Sequence, residues 1–459
     1  MDTSLPALEL PPVIASRRTF SGHRITLAIL LVIYILNFLD RQIVNILAEP
    51  IKHDLHLSDA QLGMMTGLGF ALFYTILGLP IARLAERGNR VWIIGAALSL
   101  WSLFTMACGV TRGFAQLLAC RVGVGVGEAG CSPASHSLIS DVVPAEKRAS
   151  ALAIYSAGIP LGSMAGLALG GLAADALGWR GALMLAGIPG LLMAVVLLLT
   201  VRDPRTAGAA PQTEAAPSIG ETWRELKAKR AFWWAALGAG FTAFVSYGHT
   251  AFLGSFFLRA HAGEVANLSA RIGTALGVPL HSAGFVGTVL GLIIGIAGLG
   301  GTWVGGVVCD RWALRDRRAP ALVSALAGGL LAPAAILVFV VHDAGLALAL
   351  LILPVFLQSV WYGPIFALAQ SLVSPRSRAT AAAVLLFLLN VIGLGFGPLL
   401  VGMTSDRLAP ALGSGDGLRW AMALAALMGL PAALCFLMAA RTVARELAPF
   451  AGAKSRDIE

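Results

Sequence analysis

Five polar or charged residues interrupt two stretches of the sequence that are otherwise apolar. Asn37, Asp40 and Arg41 lie in one stretch, and Arg121 and Glu128 lie in another. A charge at the centre of a bilayer costs about 2.5 kcal/mol or more, so such residues normally face a partner, a substrate or a water-filled path. Their residue types suit the binding of a charged solute and of protons. We therefore expect both clusters to line a path through a membrane.

The spacing of these residues indicates which of them share a helix face. Arg121 and Glu128 are seven residues apart, so they lie on one face about 10 Å apart along the helix axis. Asn37 and Arg41 also share a face, whereas Asp40 points about 100° away from Arg41. Residue counting puts Asp40 and Arg121 at similar depth, and we expect them to pair and leave Arg41 and Glu128 to substrate and proton. The alternative is a buried salt-bridge network that only holds two helices together.

The composition places these clusters in a polytopic all-α membrane protein. Hydrophobic residues make up 57% of the chain, charged residues 12%, and the mean hydropathy is +0.81, far from soluble averages. The first apolar run is too long for a signal-peptide core, so we expect it to remain in the mature chain. Runs long enough to cross about 30 Å of hydrocarbon occur at 25–48, 61–82, 91–110, 114–140, 148–175, 180–201, 231–259, 282–308, 320–341, 345–373, 379–404 and 417–440.

Lysine and arginine residues are unevenly divided between the two sides that these twelve runs define. Of the 33 basic residues, 24 fall on the side that holds both termini, seven fall on the other side, and two are Arg41 and Arg121. Short cytoplasmic connections retain basic residues, so both termini are predicted to be cytoplasmic, in the cell (inner) membrane. The net charge of +9 then faces anionic membrane lipids, and no nucleic-acid partner is needed to explain it.

A polar, Pro- and Ala-rich linker followed by a short basic amphipathic segment divides the chain near its middle. Three pairs of segments repeat across it: 83–87 and 307–311, 140–148 and 371–378, and, more loosely, 178–180 and 417–420. Two parallel six-helix halves with a binding site between them are typical of secondary transporters. The predicted organisation is an N-terminal segment 1–24, a first bundle 25–201, a linker with an amphipathic helix 202–230, a second bundle 231–440 and a tail 441–459.

The segment Ala82 to Arg90 (Ala-Arg-Leu-Ala-Glu-Arg-Gly-Asn-Arg) resembles the signature loop of the major facilitator superfamily. It differs in having Glu86 for the usual Asp, and Ala82 and Asn89 for two glycines. The resemblance implies the major facilitator fold, with twelve helices in two pseudo-symmetric bundles, and transport by alternating access. Acid-Arg segments would then latch the cytoplasmic side by pairing with each other or with helix ends; the gate residues are Glu86, Arg87, Arg90, Asp310 and Arg311.

Four segments of the first half resemble the Spinster-like lysolipid transporters more narrowly. Their sequences are Asn-Phe-Leu-Asp-Arg at 37–41, an Asn at position 89, Arg-Val-Gly-Val-Gly-Val-Gly-Glu-Ala at 121–129 and Ile-Pro-Leu-Gly-Ser at 159–163. Phe38 stands where that family usually has Tyr. The 37–41 segment also resembles organic-anion symporters of the same superfamily. The narrower resemblance implies a lysophospholipid or sphingoid phosphate as substrate.

The runs of the second half contain no charged residue near their centres, and their distinctive side chains are aromatic or neutral. A charged first half that faces an aromatic second half suits an amphipathic anionic lipid, with its head group beside Arg41 or Arg121. In a dry cavity beside an arginine, Glu128 could exchange a proton, which predicts proton linkage. The candidate cavity-lining residues are Tyr247, His249, Trp361, Tyr362 and Gln370.

Other classes of function find little support. The formal GxGxxG at 125–130 lies inside a membrane run, where glycines allow close helix packing, so no dinucleotide cofactor is expected. No HExxH or GxSxG segment points to an enzyme. The five cysteines, without CxxC spacing, predict packing rather than a disulfide or metal site. A monomer is expected; a small organic-anion symporter, a multidrug exporter and a non-transporting membrane sensor stay open as alternatives.

Overall fold

The structure, a computed structural model, describes residues 19–207, 219–374 and 377–446, and within these ranges it contains helices and no strand. Most of the predicted N-terminal segment, part of the linker and most of the tail lie outside the described residues. The helices up to Thr200 are α1 Thr19–Leu55, α2 Asp59–Gly63, α3 Gly69–Arg87, α4 Arg90–Cys108, α5 Phe114–Glu128, α6 Cys131–Val142, α7 Arg148–Ser156 and α8 Gly158–Thr200.

The remaining helices follow the linker. They are α9 Ile219–Ala228, α10 Arg230–Ala260, α11 Ala262–Leu276, α12 Ser282–Ala313, α13 Ala319–Val340, α14 Ala344–Leu357, α15 Tyr362–Ser371, α16 Arg378–Leu388, α17 Gly397–Leu412, α18 Ser414–Ala426 and α19 Gly429–Glu446. The short helix α9 stands where the sequence predicts an amphipathic one, whereas α11 was not expected.

Nine helices in the described part of the chain are long and apolar enough to cross a membrane. One of them, Ser150–Thr200, covers two of the twelve predicted spans. These two spans, predicted at 148–175 and 180–201, are separated at Gly178. Its φ of 68° is a left-handed conformation that glycine adopts without a Cβ penalty. The spans predicted at 114–140 and 231–259 correspond to α5 with α6 and to α10. The helices are therefore consistent with twelve spans.

Two spans contain a π-helical turn where the two halves of the chain meet. The turns are Met64–Leu68, between α2 and α3, and Leu389–Phe396, between α16 and α17. A Cβ on Gly67 would lie 2.8 Å from the carbonyl oxygen of Leu394, so the two backbones are in direct contact. Such turns interrupt the regular hydrogen bonding of a helix and are frequent at functional positions.

The halves contact each other most closely on one side of the molecule. We call it the distal side, because it lies opposite the terminal side, where α1 begins and α19 ends. There α8 packs on α12. A Cβ on Gly171 of α8 would lie 2.3 Å from the carbonyl oxygen of Ala283, and a Cβ on Gly287 of α12 would lie 2.2 Å from the carbonyl oxygen of Leu167. Nearer the terminal side, α6 and α7 make no comparable contact with α15 and α16 within the described residues. The space between the halves therefore opens toward the terminal side.

Candidate functional site

Arg41 and Glu128 form an ion pair between α1 and α5. The Nε atom of Arg41 lies 2.5 Å from Oε2 of Glu128, and the Glu128 side chain is fully buried while 15% of the Arg41 side chain is exposed. The expected Asp40–Arg121 pair is wrong: no contact between these two side chains lies within the 4.0 Å of an ion pair.

The reason is the direction in which α1 presents successive side chains. Asp40 points toward α4, where Thr105 donates a hydrogen bond to its Oδ2 atom over 3.3 Å. Arg41, about 100° further around the helix, points to the last residue of α5 instead. Arg121 still acts electrostatically on both carboxylates, Asp40 and Glu128, without touching either. Four charged residues thus form one cluster with a single direct pair.

Aromatic rings surround the guanidinium group of Arg41. Its Cζ atom lies 5.1 Å from the ring centre of Phe38, 4.9 Å from that of Phe70 and 4.5 Å from that of Tyr74. Phe70 also lies 5.4 Å from Cζ of Arg121, so one ring contacts both arginines. Cation–π contacts of this kind stabilise a buried arginine and fix its plane. Neither Phe70 nor Tyr74 was predicted, because rings in a membrane helix are usually packing residues.

Several buried polar atoms of the cluster have no hydrogen-bond partner of good geometry, although Asn37 lies close enough to Glu128 to interact with it. They are both side-chain polar atoms of Asn37, Oδ1 of Asp40, Nε and Nη1 of Arg121, and Oε1 of Glu128. A buried polar group without a partner costs about 1–3 kcal/mol, and more when it is charged. Unsatisfied donors and acceptors that converge on one place indicate a site for water, a proton or a polar ligand. Four of the five residues singled out in the sequence carry these atoms.

The open space between the halves reaches this cluster. Tyr362 lies deep in the protein, near Tyr34, Tyr74, Tyr247 and Arg41, yet 41% of its surface is exposed. A side chain that is both deep and exposed faces an internal cavity. The cavity is therefore bordered by tyrosines of both halves, with Arg41 between them. Tyr247 and Tyr362 were predicted to line it, and Tyr34 was not.

Two of the other predicted lining residues lie elsewhere. His249 is 5% exposed, and its Nε2 atom is 3.0 Å from the carbonyl oxygen of Met422, so it joins α10 to α18. Trp361 is 3% exposed and donates its indole hydrogen bond to the carbonyl oxygen of Gln358. Both side chains pack between helices. Gln370 is half-buried near the end of α15.

Of the predicted gate residues, Arg90, Asp310 and Arg311 have described side chains, and these three do not form one group. Arg90 is fully buried and donates hydrogen bonds to Asp141 of α6 and to Asp203 at the start of the linker. In this conformation Arg90 therefore ties the start of α4 to α6 and to the start of the linker. Asp310 and Arg311 are exposed at the end of α12. The side chains of Glu86 and Arg87 lie outside the described residues.

Burial raises the pKa of Asp203, but the hydrogen bonds from Arg90 outweigh this effect and hold the pKa below its ordinary value. Arg90 also donates to the carbonyl and hydroxyl oxygens of Ser137 near the end of α6. The carboxylate of Asp203, immediately after α8, therefore anchors the start of α4. The start of the linker is therefore held against α4.

A second ionic cluster, which the sequence did not predict, closes the distal side. Arg259 of α10 donates to both carboxylate oxygens of Asp59 over 2.7 and 2.8 Å and to Glu49 over 2.7 Å. Ser405 of α17 and Lys52 of α1 also bind Asp59, each over 2.6 Å. Arg259 and Ser405 belong to one half of the chain, and the other three residues belong to the other half. The cluster therefore joins the halves where they are in contact.

Helices that span a membrane, broken by π turns and packed around a cavity that opens on one side, define a secondary transporter. The sequence matches the Major Facilitator Superfamily over residues 30–398. The chain belongs to the Major Facilitator Superfamily. It is an integral membrane protein with multiple spans.

Individual relatives agree with this assignment. The chain is 35% identical, over 90% of its length and 91% of the relative's, to an MFS-type efflux pump of Mycolicibacterium smegmatis. It is 28% identical to human Protein spinster homolog 1, over 83% of this chain and 72% of that protein. The crystal structure of a bacterial homologue of human Spinster, inward-facing and unoccupied, superposes with a TM-score of 0.81 at 31% identity, over 94% of this chain and 99% of that one. The resemblance to Spinster-like transporters that the sequence indicated is confirmed.

Proposed function

We propose that this protein is a proton-linked transporter that moves an amphipathic anionic lipid, such as a lysophospholipid or sphingoid phosphate, by alternating access. The observation that carries the proposal is the Arg41–Glu128 pair, ringed by aromatic side chains beside buried polar atoms without partners. An anionic head group would find two arginines there. Its apolar chain would lie against the tyrosines and other rings of the cavity.

The ion pair suggests how proton and anion would be coupled. While Glu128 is ionised it neutralises Arg41 over 2.5 Å. A proton on Glu128 would remove that charge and leave Arg41 free to bind an anion, so the two would bind together. When the proton leaves, Glu128 would compete with the anion for Arg41 and promote its release. Asp40, beside Arg121, would serve as a second proton site.

The proposed transport cycle moves the bundle 25–201 against the bundle 231–440, with the linker 202–230 between them. In this proposal both termini lie in the cytoplasm and the protein is a monomer in the inner membrane, so the described conformation would face inward. Opening to the other side would break the Arg259–Asp59 cluster. The acid-Arg segments with Glu86, Arg87, Asp310 and Arg311 would then latch the terminal side.

A multidrug exporter is the second candidate, and the similarity to the MFS-type efflux pump of M. smegmatis favours it. A cationic drug would be attracted to Glu128 and would displace a proton instead of binding with one. A small organic-anion symporter is a third candidate, since the chain is 27% identical to a hexuronate transporter of Bacillus subtilis. That substrate would need the arginines but not the aromatic surface.

Thermal-shift measurements on the purified protein distinguish the three. The ligands are a lysophospholipid with an anionic head group, glucuronate, and the cationic dye ethidium, each tested on the native chain, on Arg121→Ala and on the exposed control Arg112→Ala. The proposal predicts stabilisation by the lysophospholipid alone, retained in Arg112→Ala and lost in Arg121→Ala. Stabilisation by glucuronate alone supports the symporter, and stabilisation by ethidium alone supports the exporter; either would overturn the proposal.

A further inference from the structure

Two of the five cysteines face each other between α4 and α5. Cys108 is the last residue of α4 and is buried, while Cys120 lies in the second turn of α5 and is half-buried. Both belong to the same apolar cluster, in which Cys120 packs against the buried core that contains Cys108.

The packing of the two helices gives this pairing independently. A Cβ on Gly127 would lie 2.7 Å from the backbone nitrogen of Trp101, and one on Gly123 would lie 2.6 Å from the ring of Phe104, so the antiparallel helices are very close. Seven residues are close to two helical turns. Cys108 lies seven residues after Trp101 on α4, and Cys120 lies seven residues before Gly127 on α5. Because the two helices are antiparallel, Cys108 and Cys120 face each other two turns from the Trp101–Gly127 contact.

We propose that Cys108 and Cys120 are a redox pair that closes to an intramolecular disulfide. Disulfides need Cα atoms about 4.4–6.8 Å apart, which close glycine-mediated packing of two helices allows. In the reaction, a small disulfide oxidant exchanges with the two thiols. One S–S bond forms between the cysteines, the S–S bond of the oxidant breaks, and the two thiol protons pass to the oxidant, which becomes two thiols.

A disulfide between Cys108 and Cys120 would lie next to residues that contact or belong to the cluster of Asp40, Arg41, Arg121 and Glu128. Arg121 directly follows Cys120, and Thr105, which donates to Asp40, lies one turn before Cys108. A disulfide would therefore fix the two helices that hold Arg121 and Asp40 in place. The pair lies toward the distal side, which would be the oxidising side if the termini are cytoplasmic.

Thiol counting tests the pairing without any assumption about transport. The purified protein is treated with dithiodipyridine, denatured, labelled with a maleimide and analysed by mass spectrometry of its peptides. The expected result is a fall from five labelled thiols to three, with a peptide that links Cys108 to Cys120. Cys131→Ser should also give the peptide that links Cys108 to Cys120, whereas Cys108→Ser and Cys120→Ser should give no linked peptide, because a lone thiol can form only a mixed disulfide with the reagent. Five remaining thiols, or a disulfide between other cysteines, would overturn the proposal.

A transport assay tests the effect of the bond and rests on the proposed function. Oxidation should slow lysophospholipid uptake into liposomes at least several-fold, a reductant should restore it, and Cys120→Ser should not respond. Unchanged uptake by protein whose thiols have been counted as oxidised would contradict an effect on the site. Because the thiol count needs no substrate, failure of the pairing and failure of the proposed function can be told apart.

Discussion

The Nε atom of Arg41 and the Oε2 atom of Glu128 lie 2.5 Å apart and join residues that are 87 positions apart in the chain. This contact is enclosed by the rings of Phe38, Phe70 and Tyr74. An arginine held by one carboxylate and three rings is fixed in place, yet part of it still reaches the cavity. In the proposed mechanism, a proton on Glu128 would release the charge of Arg41 to a ligand, and loss of that proton would withhold it.

Replacing Arg41 with lysine tests the role of the three aromatic side chains that surround it. Lysine keeps the charge but loses the planar group that contacts three rings, and cation–π contacts contribute about 0.5–2 kcal/mol. Arg41→Lys should therefore weaken lysophospholipid binding about tenfold, as measured by calorimetry. Arg112→Lys, at an exposed loop position, is the matched control and should bind normally. Equal affinity in both variants would show that charge alone matters.

Arg259→Gln should open the distal side. The change leaves the buried carboxylates of Asp59 and Glu49 without their main partner, and removal of one member of a buried ion pair costs about 3–5 kcal/mol. Because the cluster joins the two halves on the distal side, its loss destabilises the conformation in which that side is closed. Spin labels on opposite halves of the distal side should report longer distances. Arg271→Gln, on the exposed face of α11, should leave the distances unchanged.

The contact between α8 and α12 offers a second test of distal closure. Gly287→Ala would place a Cβ 2.2 Å from the carbonyl oxygen of Leu167, whereas a Cβ on Gly306 of the same helix would meet nothing within 4 Å. Overpacking typically costs about 1–3 kcal/mol. Gly287→Ala should therefore lower the unfolding temperature and speed hydrogen exchange on the distal side. Gly306→Ala should do neither, and equal effects would contradict the close contact.

The Asp203–Arg90 tie predicts a pH dependence of stability. The pKa of Asp203 is lower in the folded protein than the unfolded value of about 3.9, so its stabilisation is fully present above pH 4 or so and is lost as the pH falls through the folded pKa. Asp203→Asn should lower the unfolding temperature at pH 7. Below about pH 4 the difference from the native chain should shrink. A difference that stays constant from pH 7 to pH 3 would exclude this origin.

The residues of the central cluster could be found from the sequence because charge is costly in hydrocarbon and therefore conspicuous there. Their pairing could not, because Asp40 and Arg41 differ only by a rotation about α1, and the neighbours on each side depend on how three helices pack. Spacing also failed to separate cavity residues such as Tyr362 from packing residues such as Trp361, since both are aromatic and adjacent.

The distal cluster escaped prediction for a different reason. Glu49, Lys52, Asp59 and Arg259 lie at the ends of apolar runs, where charged residues reach water and need no partner. Nothing in their local sequence distinguishes an ion pair between halves from an ordinary helix end. Ser405, a partner of Asp59, is 346 positions away, so only the packed fold brings such partners together.

Transport into liposomes under an imposed pH gradient tests the coupling of proton and anion at Glu128 most directly. The native chain should accumulate a lysophospholipid faster when the gradient drives protons in the direction of transport. Glu128→Gln, which cannot exchange a proton and no longer neutralises Arg41, should still bind the lipid but respond much less to the gradient, since only Asp40 would remain as a proton site. An equal response to the gradient in Glu128→Gln and the native chain would contradict the account.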